Sequence, residues 1–257
     1  MKKIAVITGA SSGMGKEFVL QLAAWEKFDE MWVIARRKDA LEALQALVDC
    51  PIRALPLDLS DPAAWQQYAD TLAAEQPDVA LLVNAAGFGR FARTDEVDTA
   101  TYMNMIDLNC KALVAMTQAT LPYMKKGSRV LQLASLSSFQ PVPYLNVYAA
   151  TKAFVMSYSR ALNRELKTKG IRMMSMNPAW VKTEFFDHAT KPGNDAITYF
   201  NVMYQAKDVV ATALRDLYRS KKDVSIHGLP IKLQVLTVKL LPHRLVMNIW
   251  MKQQKHK

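Results

Sequence analysis

Seven short apolar runs recur along the chain with helical patterns between them, and this alternation constrains the fold more than any other feature. The runs are KIAVIT (3–8), MWVIA (31–35), IRALPL (52–57), VALLV (79–83), RVLQLA (129–134), IRMMSM (171–176) and DVSIH (223–227). Apolar runs without strict alternation are the pattern of strands covered on both faces, as in a parallel sheet. Between them, DALEALQALVD (39–49) has apolar residues at 41, 44, 47 and 48, a helical period. SDPAAWQQYADTLAAE (60–75) opens with a capping residue and an early proline, as helices do. The expected architecture is α/β: a single Rossmann-type doubly wound parallel sheet of about seven strands, with helices on both faces. No internal repeat, low-complexity segment or linker interrupts it before the C-terminal tail.

The net charge of +10 raises the question of a nucleic-acid partner, and its location answers it. From Arg219 to Lys257 nine Lys/Arg stand against one acid, Asp223, a net of +8 that leaves only +2 on the other 218 residues. The basicity belongs to the tail, which lacks the aromatic interleaving and folded motif of a nucleic-acid binder, so no such partner is expected. A hydrophobic content of 51% argues for a globular chain rather than a disordered one. No stretch reaches the ~18 uncharged apolar residues of a spanning helix. The IAVI run after the first lysines is too short for a signal peptide, so a cytoplasmic location is expected. Cys50 and Cys110 give neither a disulfide framework nor a metal-ligand spacing, and no metal is expected.

The first strand run leads directly into TGASSGMG, residues 8–15, and then into the helical pattern KEFVLQLAAWEK. In that setting Gly9 allows a sharp turn, Gly13 a close backbone approach to a ligand, and Gly15 close packing of helix on strand. The helix N-terminus would present unpaired N–H groups to a phosphate. No Gly-Lys-Ser/Thr ending follows, which disfavours a triphosphate loop. A glycine pattern alone could equally be a plain strand–helix turn.

The TGxxxGxG spacing resembles the short-chain dehydrogenase/reductase family, and further family elements follow in order over residues 1–228. LDLSD supplies Asp58 and Leu59, and VNAAG (83–87) is similar to the family's NNAG element, with Ala85 where Asn is usual. IDLN carries Asn109, LAS carries Ser135, and YAATK matches YxxxK with Tyr148 and Lys152, thirteen residues beyond Ser135. NPAWVKT (177–183) looks like the PGxxxT segment, with Ala179 replacing glycine. The resemblance implies a nicotinamide dinucleotide held by Thr8, Gly9, Ser11, Ser12, Gly13, Met14 and Gly15 at the turn. It adds Asp58 and Leu59, then Asn84, Ala85, Ala86 and Gly87, then Tyr148 and Lys152, and finally Pro178, Val181 and Thr183. It also implies roles for four catalytic residues. Tyr148 exchanges a proton with the substrate oxygen, Ser135 holds that oxygen, Lys152 also holds the ribose, and Asn109 holds a water in the proton path.

The residues support that chemistry independently. Four apart on a helix, Tyr148 and Lys152 share one face. A free phenol, pKa ~10, is a poor acid/base at neutral pH, and a neighbouring lysine cation with an oxidised nicotinamide is expected to lower that value. The second strand run ends in Ala35, Arg36 and Arg37 with no acid to accept ribose hydroxyls. Two arginines there can grip a 2′-phosphate, so NADP (as NADPH) is the expected cofactor. The intact set of Asn109, Ser135, Tyr148 and Lys152 favours an enzyme over the alternative, a same-fold cofactor-sensing or scaffold protein without turnover.

The segment 184–205 stands where the family's substrate loop lies and carries Phe185, Phe186, Tyr199, Phe200 and Tyr204. With SSFQPVPYLN (137–146) and GFGRF (87–91) it suggests a bulky apolar ketone, aldehyde or alcohol, such as a steroid-like or long-chain acyl compound. The same aromatics could instead serve the core or oligomer contacts. His188 is expected to be an ordinary loop residue with no part in the mechanism. Residues 229–257 form a basic, helical extension that Pro242 should break in two. Leu229, Leu233, Leu236 and Leu240 share one helical side, and Leu245 and Ile249, with Trp250 beside them, another. This apolar side either caps the substrate pocket or packs on a partner subunit, or it makes a peripheral contact with an anionic membrane. A homo-oligomer, dimer or tetramer, is expected.

Overall fold

The computed structural model describes residues 1–190 and 196–254. The seven apolar runs become β1 (Lys3–Thr8), β2 (Glu30–Ala35), β3 (Ile52–Pro56), β4 (Asp78–Asn84), β5 (Arg129–Leu133), β6 (Arg172–Met176) and, after two short strands described below, β9 (Val224–Ser225). They form one parallel sheet in the order β3-β2-β1-β4-β5-β6-β9. The strand order reverses between β1 and β4, the place where doubly wound sheets open a crevice for a ligand. Two strands that the apolar pattern does not mark, β7 (Trp180–Lys182) and β8 (Met203–Gln205), pair in parallel as a separate small sheet.

Each face of the large sheet is covered by helices. The covering helices are α1 (Gly13–Leu22), α2 (Lys38–Glu42), α3 (Pro62–Glu75), α4 (Thr99–Ile106), α5 (Leu113–Thr120), α6 (Asn146–Leu166) and, after α7 (Phe185–Ala189), α8 (Ala206–Arg219). Along β1, Ala5 and Ile7 join one core with Phe18 and Leu22 of α1 and Leu214 of α8. Ile4 and Val6 join the other core with Tyr68 and Leu72 of α3 and Leu162 of α6. Side chains of this size, fully buried, contribute roughly 1.5–3 kcal/mol each. Local chemistry sets the helix ends. Asp61 accepts from Ala63 N at 2.9 Å ahead of Pro62, and Gln76 ends α3 in the left-handed region. Asp98 caps α4 through Thr101 N at 2.7 Å. Helices α4 and α5 are joined by a π-helical turn, Asp107–Ala112, that will matter for the site.

The tail forms α9 (Leu229–Leu240) and α10 (His243–Gln253), interrupted at Leu241–Pro242 because proline has no N–H to continue the ladder. Their packing corrects one expectation. The face turned to the body is Ile231, Val235, Val238 and Val246, all buried. The leucines picked out by their spacing point away from it: Leu229, Leu233, Leu236 and Leu240 are 69%, 56%, 55% and 76% exposed. Helix α9 is apolar on both sides, and spacing alone does not say which side meets the body. No helix among the described residues is long and apolar enough to cross a membrane.

Candidate active site

Strand β1 delivers the chain to the glycine turn at the crevice. Gly9 (φ +68°) and Gly13 (φ +52°) take the left-handed backbone that side chains disfavour. A Cβ on Gly15 would overlap the Gly9 carbonyl, so α1 starts as close to the turn as backbone allows. Ser12, at the helix N-cap, places no side-chain bond on the first N–H groups of α1. The helix end is thus open toward a cavity of about 980 Å³ that runs the length of the crevice. An open helix N-terminus facing a cavity fits the pyrophosphate of a dinucleotide.

Of the residues expected at the cofactor, Gly9, Ser11, Ser12, Gly13, Met14, Gly15, Arg36, Arg37, Asp58 and Leu59 line this cavity. So do Ala85, Ala86, Gly87, Tyr148, Lys152, Pro178, Val181 and Thr183, with Ser135 among the catalytic set. Three others stand behind the wall. The Thr8 hydroxyl accepts from Ala85 N and Ala86 N, both at 3.0 Å, and so ties the end of β1 to the segment after β4. The Asn84 amide donates to Thr117 Oγ1 at 3.1 Å, where Gln132 also donates at 2.9 Å. Asn109 sits in the π-turn, accepts from Phe88 N at 3.0 Å, and donates to Phe88 O at 2.9 Å and Thr151 Oγ1 at 3.1 Å. It therefore fixes the segment after β4 to α6, between Tyr148 and Lys152. A Cβ on Gly87 would come within 2.7 Å of the Asn109 oxygen and 3.3 Å of Lys152 Nζ.

Helix α6 presents Tyr148 and Lys152 one turn apart, and Ser135, just past the end of β5, lines the same cavity and acts on the Tyr148 phenol. Ser135 is itself held by Ser137 N at 3.2 Å. Lys152 is buried, with its ammonium donating to Leu133 O at 2.8 Å. Burial pushes the Tyr148 phenol up to about 12, with Ser135 only partly opposing it. Burial also pulls the Lys152 ammonium down to about 8. The expected lowering counted on an oxidised nicotinamide together with the lysine; among the chain's own groups, loss of solvation around the enclosed ring sets the direction, and the Lys152 ammonium donates to a backbone carbonyl.

The nucleotide end is basic and carries no acid at the close of β2. Arg36 makes no hydrogen bond or ion pair among the described residues. Arg37 is already engaged, donating to Ser11 O at 3.3 Å and pairing with Glu184 at 3.0 Å. Desolvation acts to raise the Asp58 carboxyl, but hydrogen bonds from Ser60 and the nearby positive charge of Arg36 hold it below its ordinary value.

The other end of the cavity is aromatic. Phe91 meets Trp180, Phe185 and Phe186 edge-on, with ring centroids 5.6, 5.9 and 6.0 Å apart. Phe185 stands 5.6 Å from the Tyr148 ring, and a Cβ on Gly89 would come within 2.9 Å of both. Of the five aromatics singled out in the substrate segment, Phe185, Phe186 and Tyr199 line the cavity and Phe200 packs behind on Trp180 and Phe186. Tyr204 is elsewhere, edge-on to His227 against the α1–α8 core. Residues 191–195 of that segment, and the His188 side chain, lie outside the described residues. The tail closes this end: Val235, Val238, Val246 and Trp250 line it, and Trp250 donates to Pro143 O at 3.1 Å. Sequence reasoning missed Trp180 as a wall residue, although it lies inside a segment already recognised, while Trp250 belongs to the tail stripe expected to cap the pocket. No group of three His, Cys, Asp or Glu positioned for a metal occurs among the described residues.

Comparison with known proteins agrees with this geometry. A family model described as short chain dehydrogenase matches residues 3–193. Sulfoacetaldehyde reductase 2 of Chromohalobacter salexigens is 32% identical over 221 residues, covering 81% of this chain and 86% of that protein. Very-long-chain 3-oxoacyl-CoA reductase-B of Danio rerio is 32% identical over 193 residues, 71% of this chain and 60% of that protein. A short-chain dehydrogenase from Sphingobium yanoikuyae, solved in complex with NADPH, superposes with a TM-score of 0.79 at 26% identity, over 100% of this chain and 99% of that one.

Proposed function

This chain is a member of the short-chain dehydrogenase/reductase family, and from that premise we propose that it is an NADP-dependent enzyme interconverting a ketone or aldehyde with an alcohol on a bulky, apolar substrate. One observation carries the reading: a single cavity joins an arginine-lined end to an aromatic chamber, with Ser135 and Tyr148 both lining it between them. The cofactor supplies the hydride. The chain's residues do the rest. Ser135 holds the substrate oxygen in place, and Tyr148, neutral with its pKa near 12, delivers the proton to that oxygen. Lys152, whose pKa near 8 lets it exchange a proton around neutrality, resupplies the phenol and holds the ribose. Asn109 keeps the floor of the site rigid through Phe88 and Thr151.

Arg36 supports the preference for NADP, since no carboxylate at the end of β2 competes with a 2′-phosphate. The aromatic chamber and its apolar lid support a large substrate, a class to which the very-long-chain acyl relative's name also points. A cofactor sensor or scaffold would have no chemical use for the Ser135–Tyr148 pair. A homo-oligomer belongs to the proposal too, with Met103 of α4 and Phe154 of α6, both exposed, as side chains it would cover. The test is a panel of steroid, long-chain acyl and small aldehyde substrates scored by NADPH absorbance. Turnover confined to the bulky classes is expected, and turnover of none, or only of small polar aldehydes, overturns the substrate reading.

A further inference from the structure

The outer surface of the tail has no use within the chain. Helices α9 and α10 are anchored by their inner side, where Val235, Val238 and Val246 close over the cavity and Ile231 is buried beside them. Helix α9 is apolar on two opposite sides, and an apolar side is normally covered, yet its leucine side is bare. At about 100° per residue, Leu229, Leu233, Leu236 and Leu240 fall within about 60° of arc, opposite the buried residues. Leu245 and Ile249 continue the bare surface on α10. The neighbouring segment adds to it: Tyr199, Val202 and Met203 are exposed, and they are tied beside the tail through Asn201 to Gln234 at 3.3 Å and Tyr199 N to Gln254 at 3.3 Å.

We infer that this outer face of α9 and α10 docks on the surface of an anionic lipid bilayer. Charge selects the occupant. Residues 229–257 contain six Lys/Arg and no Asp or Glu, so two copies meeting through this face would set like charges against each other. Lys232 and Lys239 flank one edge of the leucine arc, and Arg244 and Lys252 are exposed on α10. Apolar side chains bordered by cations match an interface in which leucines enter the acyl boundary and lysines meet anionic headgroups. Ile249 and Tyr199 both line the cavity and are partly exposed, at 44% and 39%, so the rim of the chamber lies at the docking face. That position would admit a substrate directly from the lipid phase, a consequence that rests on the proposed apolar substrate, whereas docking itself does not.

The test is co-sedimentation of the full chain with vesicles of phosphatidylcholine alone or with phosphatidylglycerol admixed, at low and high salt. Binding only to the anionic vesicles is expected, with a loss of about tenfold or more at high salt. Leu233→Gln with Leu236→Gln should lower binding by a similar factor at low salt without altering the circular dichroism spectrum, since both side chains are solvent-exposed and outside the cavity. Arg244→Gln with Lys252→Gln should do the same through charge. Absence of binding to anionic vesicles overturns the inference. Binding that ignores the leucine pair overturns it in favour of loose electrostatic attachment, and a dimer that the leucine pair dissociates overturns it in favour of self-association. None of these readouts uses turnover, so failure of the proposed activity would show up separately in the substrate panel.

Discussion

At the scale of single residues, Tyr148 and Lys152 are a pair whose ordinary acidities are shifted by the same cause in opposite senses. Burial raises the phenol to about 12 and lowers the ammonium to about 8. Tyr148→Phe keeps the ring that packs on Phe185 and removes only the hydroxyl. Turnover should fall by roughly 10²–10⁴-fold with NADPH binding intact, and more than about a tenth of the wild-type rate would contradict the assignment. Lys152 gives a stability signature. Its folded value lies below the ordinary 10.5, so between pH 8 and 10.5 the unfolded chain binds more protons and wild-type stability rises with pH. Lys152→Met has no such group, so the wild-type melting temperature should gain on the variant's across that window. A constant difference would mean the ammonium is not desolvated. Arg36→Asp should weaken NADPH and improve NADH, whereas a wild type that already uses NADH equally well would refute the assigned role of Arg36. The four catalytic candidates were legible because their types and spacing carry the family's pattern. The raising effect of burial on the phenol was not, because sequence shows which charges are near but not how completely water is excluded.

At the scale of elements, the seven strands of the large sheet were legible because buried parallel strands read as plain apolar runs, and all seven lie where those runs do. The pair β7–β8 was not, since WVK and MYQ carry no such pattern and owe their pairing to the chain being brought back beside itself. The π-turn at Asp107–Ala112 also leaves no mark in DLNCKA. It becomes intelligible once Asn109 is seen to satisfy both Phe88 backbone groups. The tail shows a mixed case: helix, break and apolar stripes were legible, but spacing did not say which side of α9 meets the body. Its β-branched Val235 and Val238 line the cavity with Ile231 buried beside them, and Leu229, Leu233, Leu236 and Leu240 do not. Deleting residues 229–257 should therefore uncover the aromatic chamber and cost solubility or activity. A truncated protein that stays soluble and fully active would show that the lid is dispensable.

At the scale of the whole molecule, a rigid sheet carries the hydroxyl pair and the nucleotide turn while everything that shapes the far end of the cavity comes from later chain. The small sheet β7–β8 has a consequence for how such a protein diverges. Trp180 pairs with Met203 and Lys182 with Gln205, so the twenty residues from 183 to 202 depart and return through one fixed gate. Lengthening a segment whose ends are held costs little, ~0.6 kcal/mol for each doubling. Natural selection can therefore treat it as an exchangeable cassette, rewriting substrate preference while the proton-transfer geometry is inherited unchanged. Replacing residues 185–202 with the matching segment of a relative should leave NADPH affinity and melting temperature close to those of the parent and reorder its substrates. If cofactor affinity collapsed instead, the gate would not isolate the two halves of the site.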